Sequence, residues 1–518
     1  MHLTLGLHRA VQQRPNEIAS ICQGRRRTFT EIAQRVAKLA GALQALGMRA
    51  GDRVGMLSLN SDRYLEYYLA VFWAGGAVNP VNIRWSAAEI AYSLDDCETA
   101  ILFVDDTFMP MVDELRSKSK ALRTIIHAGE GETVEGMLPY EAILAAADPV
   151  PDAMREKEDL AGVFYTGGTT GFPKGVMLTH EGLFTNALSV LAESPTAEGG
   201  VGLHAAPMFH LADVTFMMLL LLRGSTHVFI PSFNPVMVLK AIEQELVSDI
   251  LLVPTMIQMM VSHPAVKDHD LTSLKWIMYG ASPISETTLG CAFAALPGVG
   301  FMQAYGMTEV SAVATILPPY YHTPEGRKAG KLRSAGRATF YSQVKIVNAD
   351  GKEVSSGVVG QVVVRSAGVM KGYWNQPEET AGAIRNGWMH TGDGGYMDED
   401  GFVFIVDRIK DMIVSGGENV YSAEVENALA KHPGVAMCAV IGIPDQVWGE
   451  SVHAIVVLKP GVQASEEEIK AHCKTLIAGY KCPRSFEFRR ELPLSGAGKL
   501  LKFKLREPFW QGKNRSVS

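Results

Sequence analysis

Apolar runs of strand length alternate with segments of helical period through the first two-thirds of the chain. The spacing predicts strands at Arg53–Leu57, Ala77–Val81 and Ala100–Val104, with helices over Tyr64–Phe72 and near Ala87–Leu94 between them. A second series predicts strands at Leu160–Tyr165 and Val176–Leu178, a helix starting near Thr179, and a helix Leu211–Leu222 ended by Gly224. Strands follow at Thr226–Ile230, Ile250–Val253, Trp276–Tyr279 and Gly300–Gln303. Asn234-Pro235 has the chemistry of a helix start, a capping side chain followed by a fixed φ. Such alternation indicates parallel sheets with helices on both faces. Ligands bind such sheets beyond the carboxyl ends of the strands. Tyr279-Gly280-Ala281 and Tyr305-Gly306 both fall there, so a shared cleft is expected.

From about Arg333 to Val406 the texture changes to short β runs with turns, including Asp350-Gly351 between Gln343–Val347 and Val362–Val364. An antiparallel or barrel-like section fits. After Asp407 the pattern is compact α+β, and Ser465 with Glu468 makes a capping box that opens a helix through Ile477.

A chain of 518 residues exceeds one hydrophobic core, and its length suggests roughly two to four domains. Net charge is −7, which argues against a nucleic-acid partner. The last 38 residues invert that sign, carrying a net +7, as suits a surface that meets phosphates. Six cysteines without CxxC spacing read as reduced thiols, not as a disulfide frame or zinc site. The start lacks the layout of a signal peptide. The longest apolar run, Val214 to Leu222, is nine residues and too short for a transmembrane segment, which takes about 20. A cytoplasmic location is expected.

The segment Tyr165-Thr-Gly-Gly-Thr-Thr-Gly-Phe-Pro-Lys-Gly175 has the composition of a polyphosphate cradle. Gly167, Gly168 and Gly171 let backbone approach oxyanions, Thr169 and Thr170 supply hydroxyl donors, and Lys174 supplies charge. It is not the Walker pattern, because Pro173 precedes the lysine and Gly175 follows it.

Further along stand Gln303-Ala-Tyr-Gly-Met-Thr-Glu309, Trp388-Met-His-Thr-Gly-Asp393, Asp407-Arg-Ile-Lys-Asp411, Ser415-Gly-Gly-Glu418 and Leu494-Ser-Gly-Ala-Gly-Lys499. In order, wording and spacing these resemble the adenylate-forming superfamily of acyl-CoA synthetases, adenylation domains and luciferases, over about Phe29 to Arg506. The resemblance implies an α/β fold. It has a large N-terminal domain, 1–406, of two helix-covered, mainly parallel sheets plus a distorted β-barrel section. A small mobile α+β domain, 407–518, follows.

It also implies ATP, Mg2+ and coenzyme A as the small molecules handled. Thr166, Gly167, Gly168, Thr169, Thr170, Gly171 and Lys174 would wrap the β- and γ-phosphates. Relatives usually carry a hydroxyl where this chain has Gly167, so weaker contacts to ATP are expected there. Thr308 would donate to the α-phosphate and Glu309 would bind magnesium. Tyr305 with Gly280 and Ala281 would form the adenine slot, and Asp393 with Arg408 would take the ribose hydroxyls. Lys499 would be the catalytic lysine, worth about 4 kcal/mol at ~4 Å from the developing charge before solvation costs. Rotation about Lys410 would then present Gly416 and Gly417 to the pantetheine arm, with Tyr480 and Lys481 near the nucleotide of coenzyme A.

His210, in Pro207-Met-Phe-His210, stands where amino-acid-activating relatives place an aspartate, so an amine-free acid is expected, with His210 near its carboxylate. Asp213, about one turn later, could only partly substitute. The expected walls are Phe209, Val214, Met218, Met278, Met302 and Ser311 to Ala314. A medium- or long-chain fatty acid is the leading expectation. The alternatives are a cinnamate-type aryl acid, or loading of a separate carrier protein. A homodimer is left open.

Overall fold

The computed structural model describes residues 2–166, 173–282, 284–416, 418–495 and 500–511. Among these residues the strands assemble into four sheets. The eight-stranded sheet is built on Arg53–Leu57, Ala77–Pro80 and Ile101–Val104 in parallel, and Leu160–Thr166 joins it beside Ala77–Pro80. Lys174–Thr179 pairs antiparallel with Leu160–Thr166, so the phosphate-loop candidate connects two neighbouring strands. The nine-stranded sheet runs parallel through Val201–His204, Asp249–Leu252, Trp276–Gly280 and Gly300–Tyr305. Its far edge is antiparallel and charged, since Arg25–Thr28 pairs with Ile18–Cys22.

Local chemistry explains the boundaries. Asn234 caps Pro235–Glu245 by accepting from the Met237 amide, and Thr179 caps His180–Glu193 from Gly182. The Ser465–Glu468 capping box forms as read, though its helix ends at Lys474, short of Ile477. Leu211–Leu222 is helical over the predicted span.

The third sheet carries Ser342–Val347, Gly360–Ser366, Trp388–Met397 and Val403–Arg408, all antiparallel. A short 3-10 turn, Ile409–Asp411, separates it from the fourth sheet, built on Val435–Asp445 and Gly449–Leu458. The residues after that turn bury their own cores, one around Ile413, Val425, Val440 and Ile469, another around Ile441, Leu492 and Leu505. The chain therefore has a mixed α/β fold with two helix-covered sheets, a curled antiparallel sheet and a tail lobe with its own apolar centre.

Burial settles the cysteines. It pushes the Cys22 and Cys97 thiols up to about 11 and Cys473 up to about 12, while Cys291 is exposed.

Gly280 stands opposite Ala304 where two strands end, and a Cβ on Gly280 would overlap the Ala304 carbonyl oxygen. Gly280→Ala is expected to cost about 1–3 kcal/mol by forcing the strand ends apart, read as a lowered midpoint in thermal unfolding.

Candidate active site

Both parallel sheets deliver strand ends to one cleft. Gly300–Tyr305 ends at Tyr305, whose hydroxyl donates to Asp393 Oδ2 at 2.7 Å. Asp393 lies on Trp388–Met397 directly opposite Arg408, and Arg408 Nε meets Asp393 Oδ1 at 2.7 Å. The carboxylate is buried and bridges two donors, so it holds a tyrosine from one sheet and an arginine from another. Burial first, then the Asp393 charge, keeps the Tyr305 phenol well above the ordinary tyrosine range.

Thr308 and Glu309 follow in the 3-10 turn Thr308–Val310. Glu309 is buried, and its Oε1 accepts from the Tyr373 hydroxyl at 2.9 Å. Burial and then Glu309 raise the Tyr373 phenol. The same tyrosine ring lies 5.2 Å beneath the Lys174 ammonium, and that ammonium pairs with Glu379 at 2.6 Å. Tyr373 thus ties the Glu309 turn to the strand that leaves the phosphate loop. Its sequence signal is only an aromatic after Gly372, and it was missed.

The backbone here is tight. Ala281, Ser311 and Ala312 adopt φ of +67°, +59° and +91°. Conformations of that kind cost about 1–3 kcal/mol each in non-glycine residues and cluster at functional sites. A Cβ on Gly306 would overlap the Ala312 carbonyl oxygen, so the Tyr305-Gly306 turn folds directly onto the strained segment.

Thr166 ends the incoming strand and Lys174 begins the outgoing one. Gly167, Gly168, Thr169, Thr170, Gly171, Gly417 and Lys499 lie outside the described residues. Ser495, four positions before Lys499, is described. Its carbonyl accepts from Arg84 Nη1 at 3.0 Å. Arg84 adjoins Trp85, whose ring stands edge-on to Tyr165 at 6.4 Å, one residue before Thr166. The approach to Lys499 therefore rests beside the approach to the phosphate loop.

Lys410 sits in the turn Ile409–Asp411, and Arg506 Nη1 donates to its carbonyl at 3.2 Å and meets Asp411 at 3.0 Å. On the same helix, Lys502 meets Glu426 at 2.7 Å and Ser422 Oγ at 2.5 Å. Ser422 in turn donates to Asp407 at 2.6 Å. Behind Arg408 a cavity of about 730 Å³ opens between Lys345, Trp388 and His390 on one wall and Asn419 and Tyr421 on the other.

Gly416 has φ +63° and packs under the Trp448 ring. Lys481 is held by both carboxylate oxygens of Glu424 at 2.8 Å, whereas Tyr480 is substantially exposed. His210 caps Leu211–Leu222, its Nδ1 accepting from the Ala212 amide at 3.3 Å. Asp213 is buried against His204 at 2.7 Å, and His204 meets His227 at 2.9 Å, so Asp213 faces the core. Burial, then His204, keeps His227 neutral.

The expected acid walls divide into two groups. Phe209, Val214 and Met218 pack with the N-terminal helices, while Met278, Met302 and Val313 pack with Phe216, Leu219 and Leu220. The helix turns its other face to the methionines, so Phe216 replaces Val214 and Met218 as their neighbour.

Strand ends of two helix-covered α/β sheets meeting beside a curled antiparallel sheet, followed by a tail lobe with its own apolar core, are the arrangement of an adenylate-forming enzyme. Models for the AMP-binding enzyme and the AMP-binding enzyme C-terminal domain match residues 7–374 and 424–499. A feruloyl-CoA synthase from Amycolatopsis sp is 39% identical over 97% of this chain and 98% of its own. A fatty acid–[acyl-carrier-protein] ligase, ScoC, from Streptomyces coeruleorubidus is 36% identical over 98% and 96%. ATP-bound MatB from Rhodopseudomonas palustris superposes with TM-score 0.88 at 29% identity, covering 98% of this chain and 99% of that one. The chain belongs to the AMP-binding enzyme family, the adenylate-forming superfamily of acyl-CoA synthetase type, and is an AMP-forming acid–thiol ligase.

Tyr305→Phe leaves the buried Asp393 carboxylate short of one donor. A loss of about 1–3 kcal/mol in stability is expected, measured by denaturant unfolding.

Proposed function

We propose that the chain activates an apolar, amine-free carboxylic acid with ATP and passes the acyl group to coenzyme A. The acid's carboxylate oxygen attacks the α-phosphorus and pyrophosphate leaves, giving acyl-AMP. The thiol of coenzyme A then loses its proton and attacks the acyl carbon, and AMP leaves. No protein nucleophile is required.

One observation carries the reading: Arg84 bonds the Ser495 carbonyl while its neighbour Trp85 meets Tyr165, so one short segment touches both the run-up to Lys499 and the strand entering the phosphate loop. In this arrangement Lys499 would stabilise charge at the α-phosphate, where a positioned cation acts on the transition state. The loop Thr166–Lys174 would cradle the outer phosphates, with Thr308 on the α-phosphate. Tyr305, Gly280 and Ala281 would bound the adenine, and Asp393 with Arg408 the ribose. Glu309 suits magnesium, since it is a buried hard-oxygen donor with one oxygen already fixed by Tyr373. Magnesium would neutralise phosphate charge when bound.

The second half-reaction needs the lysine withdrawn. The tail lobe, taken as 407–518, would rotate about Lys410 and present Gly416, Gly417 and Tyr480 to coenzyme A. The engagement of Lys481 by Glu424 implies that it meets phosphate only after exchanging that partner. His210 would lie near the acid's carboxylate. Because Asp213 is buried on His204, it supplies no counter-ion for an ammonium group, which supports an acid without one. The carrier-loading alternative uses the same thiol arm, and comparing free coenzyme A with a holo-carrier protein as acceptor separates the two.

The reading is tested by pyrophosphate release across an acid panel, with mass spectrometry of the thioester. Lys499→Ala is expected to reduce adenylate formation by roughly a thousandfold. It should largely spare thioester formation from supplied acyl-AMP, and equal loss in both half-reactions refutes the role. Lys410→Pro is expected to do the reverse; an unimpaired thioester step removes the hinge.

A further inference from the structure

We infer that His2, His8 and Asp152 form a binding site for one divalent cation of the zinc type. None of the three is among the residues placed in the cleft, and the inference stands apart from the ligase reading.

Each of the three offers one ligand atom, and these atoms lie within 4.8 Å of one another. Two come from the helix Leu5–Gln13 and the residues before it, the third from the connection that leads into the strand Leu160–Thr166. His8 Nε2 meets Asp152 Oδ2 at 2.8 Å, and the Asp152 side chain is 2% exposed. Thr4 and His8 are four residues apart on one helical face. The Thr4 hydroxyl makes no cap for the helix it precedes and donates to Asp152 Oδ2 at 2.5 Å instead. The Met154 amide donates to Oδ1 at 2.8 Å. Both carboxylate oxygens are therefore oriented by neighbours, as the carboxylates of metal sites are.

The rings are oriented too. His8 stacks on Trp73 with centroids 4.8 Å apart, and the Trp73 indole N–H donates to the Val150 carbonyl at 2.8 Å. His2 stands edge-on to His8 at 6.0 Å.

An ion pair alone accounts for His8 and Asp152, but it leaves His2 unexplained. His2 Nε2 is closed to water and has no hydrogen-bond partner among the described residues. Such a nitrogen forfeits the bond that water would give it. A cation shared with His8 and Asp152 supplies that ring with a partner.

The spacing suits this. Around a tetrahedral zinc with ligand bonds of about 2.0–2.1 Å, ligand atoms stand about 3.3 Å apart. The closest pair would open by about 0.5 Å and the widest would close by at most about 1.5 Å, shifts within reach of side-chain torsions. Two imidazoles with one carboxylate suit zinc, cobalt or iron(II), whereas magnesium favours oxygen donors and keeps its waters.

The bound ion would fasten the helix Leu5–Gln13 to the connection before Leu160. That connection is already tied at two other points. The Ala153 amide donates to the Trp73 carbonyl at 2.9 Å, and the His180 amide donates to the Asp159 carbonyl at 3.1 Å. A gain in stability is therefore the expected effect of the ion.

The experiment uses the full chain without a tag, stripped of metal by a chelator, on a Cys291→Ser background that removes the exposed thiol. Zinc chloride is titrated calorimetrically, cobalt(II) is followed by its visible absorption, and thermal unfolding is recorded with zinc and with magnesium. One equivalent of zinc is expected to bind and to raise the unfolding midpoint by about 2 °C or more, with no rise from magnesium. His2→Ala, His8→Gln and Asp152→Asn should each weaken zinc binding at least about tenfold and abolish the rise. His8→Gln and Asp152→Asn also break the ion pair and can lower stability without metal. His2→Ala removes no hydrogen bond of Nε2 and keeps the test decisive where those two fail to fold. No zinc binding by the parent protein overturns the site. Zinc binding that survives His2→Ala unchanged overturns it equally, since the ion then sits elsewhere.

Discussion

The carboxylate of Asp393 is the point on which the arrangement depends. It is buried, it is supplied by the curled sheet, and its two oxygens are divided between Tyr305 and Arg408. Tyr305 closes a strand of the nine-stranded sheet, and Arg408 is the last residue before the turn Ile409–Asp411. A single acceptor-only group therefore registers three parts of the molecule against one another. A buried carboxylate with fewer donors would be costly, so neither partner can drift without the others responding.

Much of this was legible in the sequence because the relevant signals are local. Strand–helix alternation, the Asn234-Pro235 cap and the Ser465 capping box are short-range chemistry, and each formed where the residues said. The curled sheet was legible from its turns. The motif residues pointed to a shared strand-end cleft, and Gly280 and Ala304 do face each other there. What the pattern left undetermined was side-chain direction. Leu211–Leu222 is apolar all round apart from Asp213 and Thr215 in its first turns, so its sequence contains no polar stripe to fix its rotation. Phe216, Leu219 and Leu220 pack with the methionines, while Val214 and Met218 join a different apolar cluster. The strand Arg25–Thr28 was hidden for the opposite reason. Its arginines look like solvated loop until Asp62, at the start of a helix 35 to 37 residues later, is placed beside them, as the pairs Arg25–Asp62 and Arg27–Asp62 show. Tyr373 and Arg84 act only through partners distant in the chain, and no local pattern announces such a contact.

The tail lobe adds a mechanical constraint. The helix Lys502–Trp510 follows two residues after Leu500, and its Arg506 and Lys502 grip the turn Ile409–Asp411 and the Ser422–Asp407 bond. The described helix Lys502–Trp510 is thereby fastened to the turn Ile409–Asp411 and to the start of the helix Ser422–Ala430.

The buried thiols have a further consequence for an enzyme that makes mixed anhydrides. An acyl-adenylate acylates whatever sulfur anion it meets, and the anion, not the protonated sulfur, is the reactive species. Cys22, Cys97 and Cys473 are held above the ordinary cysteine range, so at neutral pH they remain protonated and walled off. Self-modification at these three positions is suppressed by the packing itself.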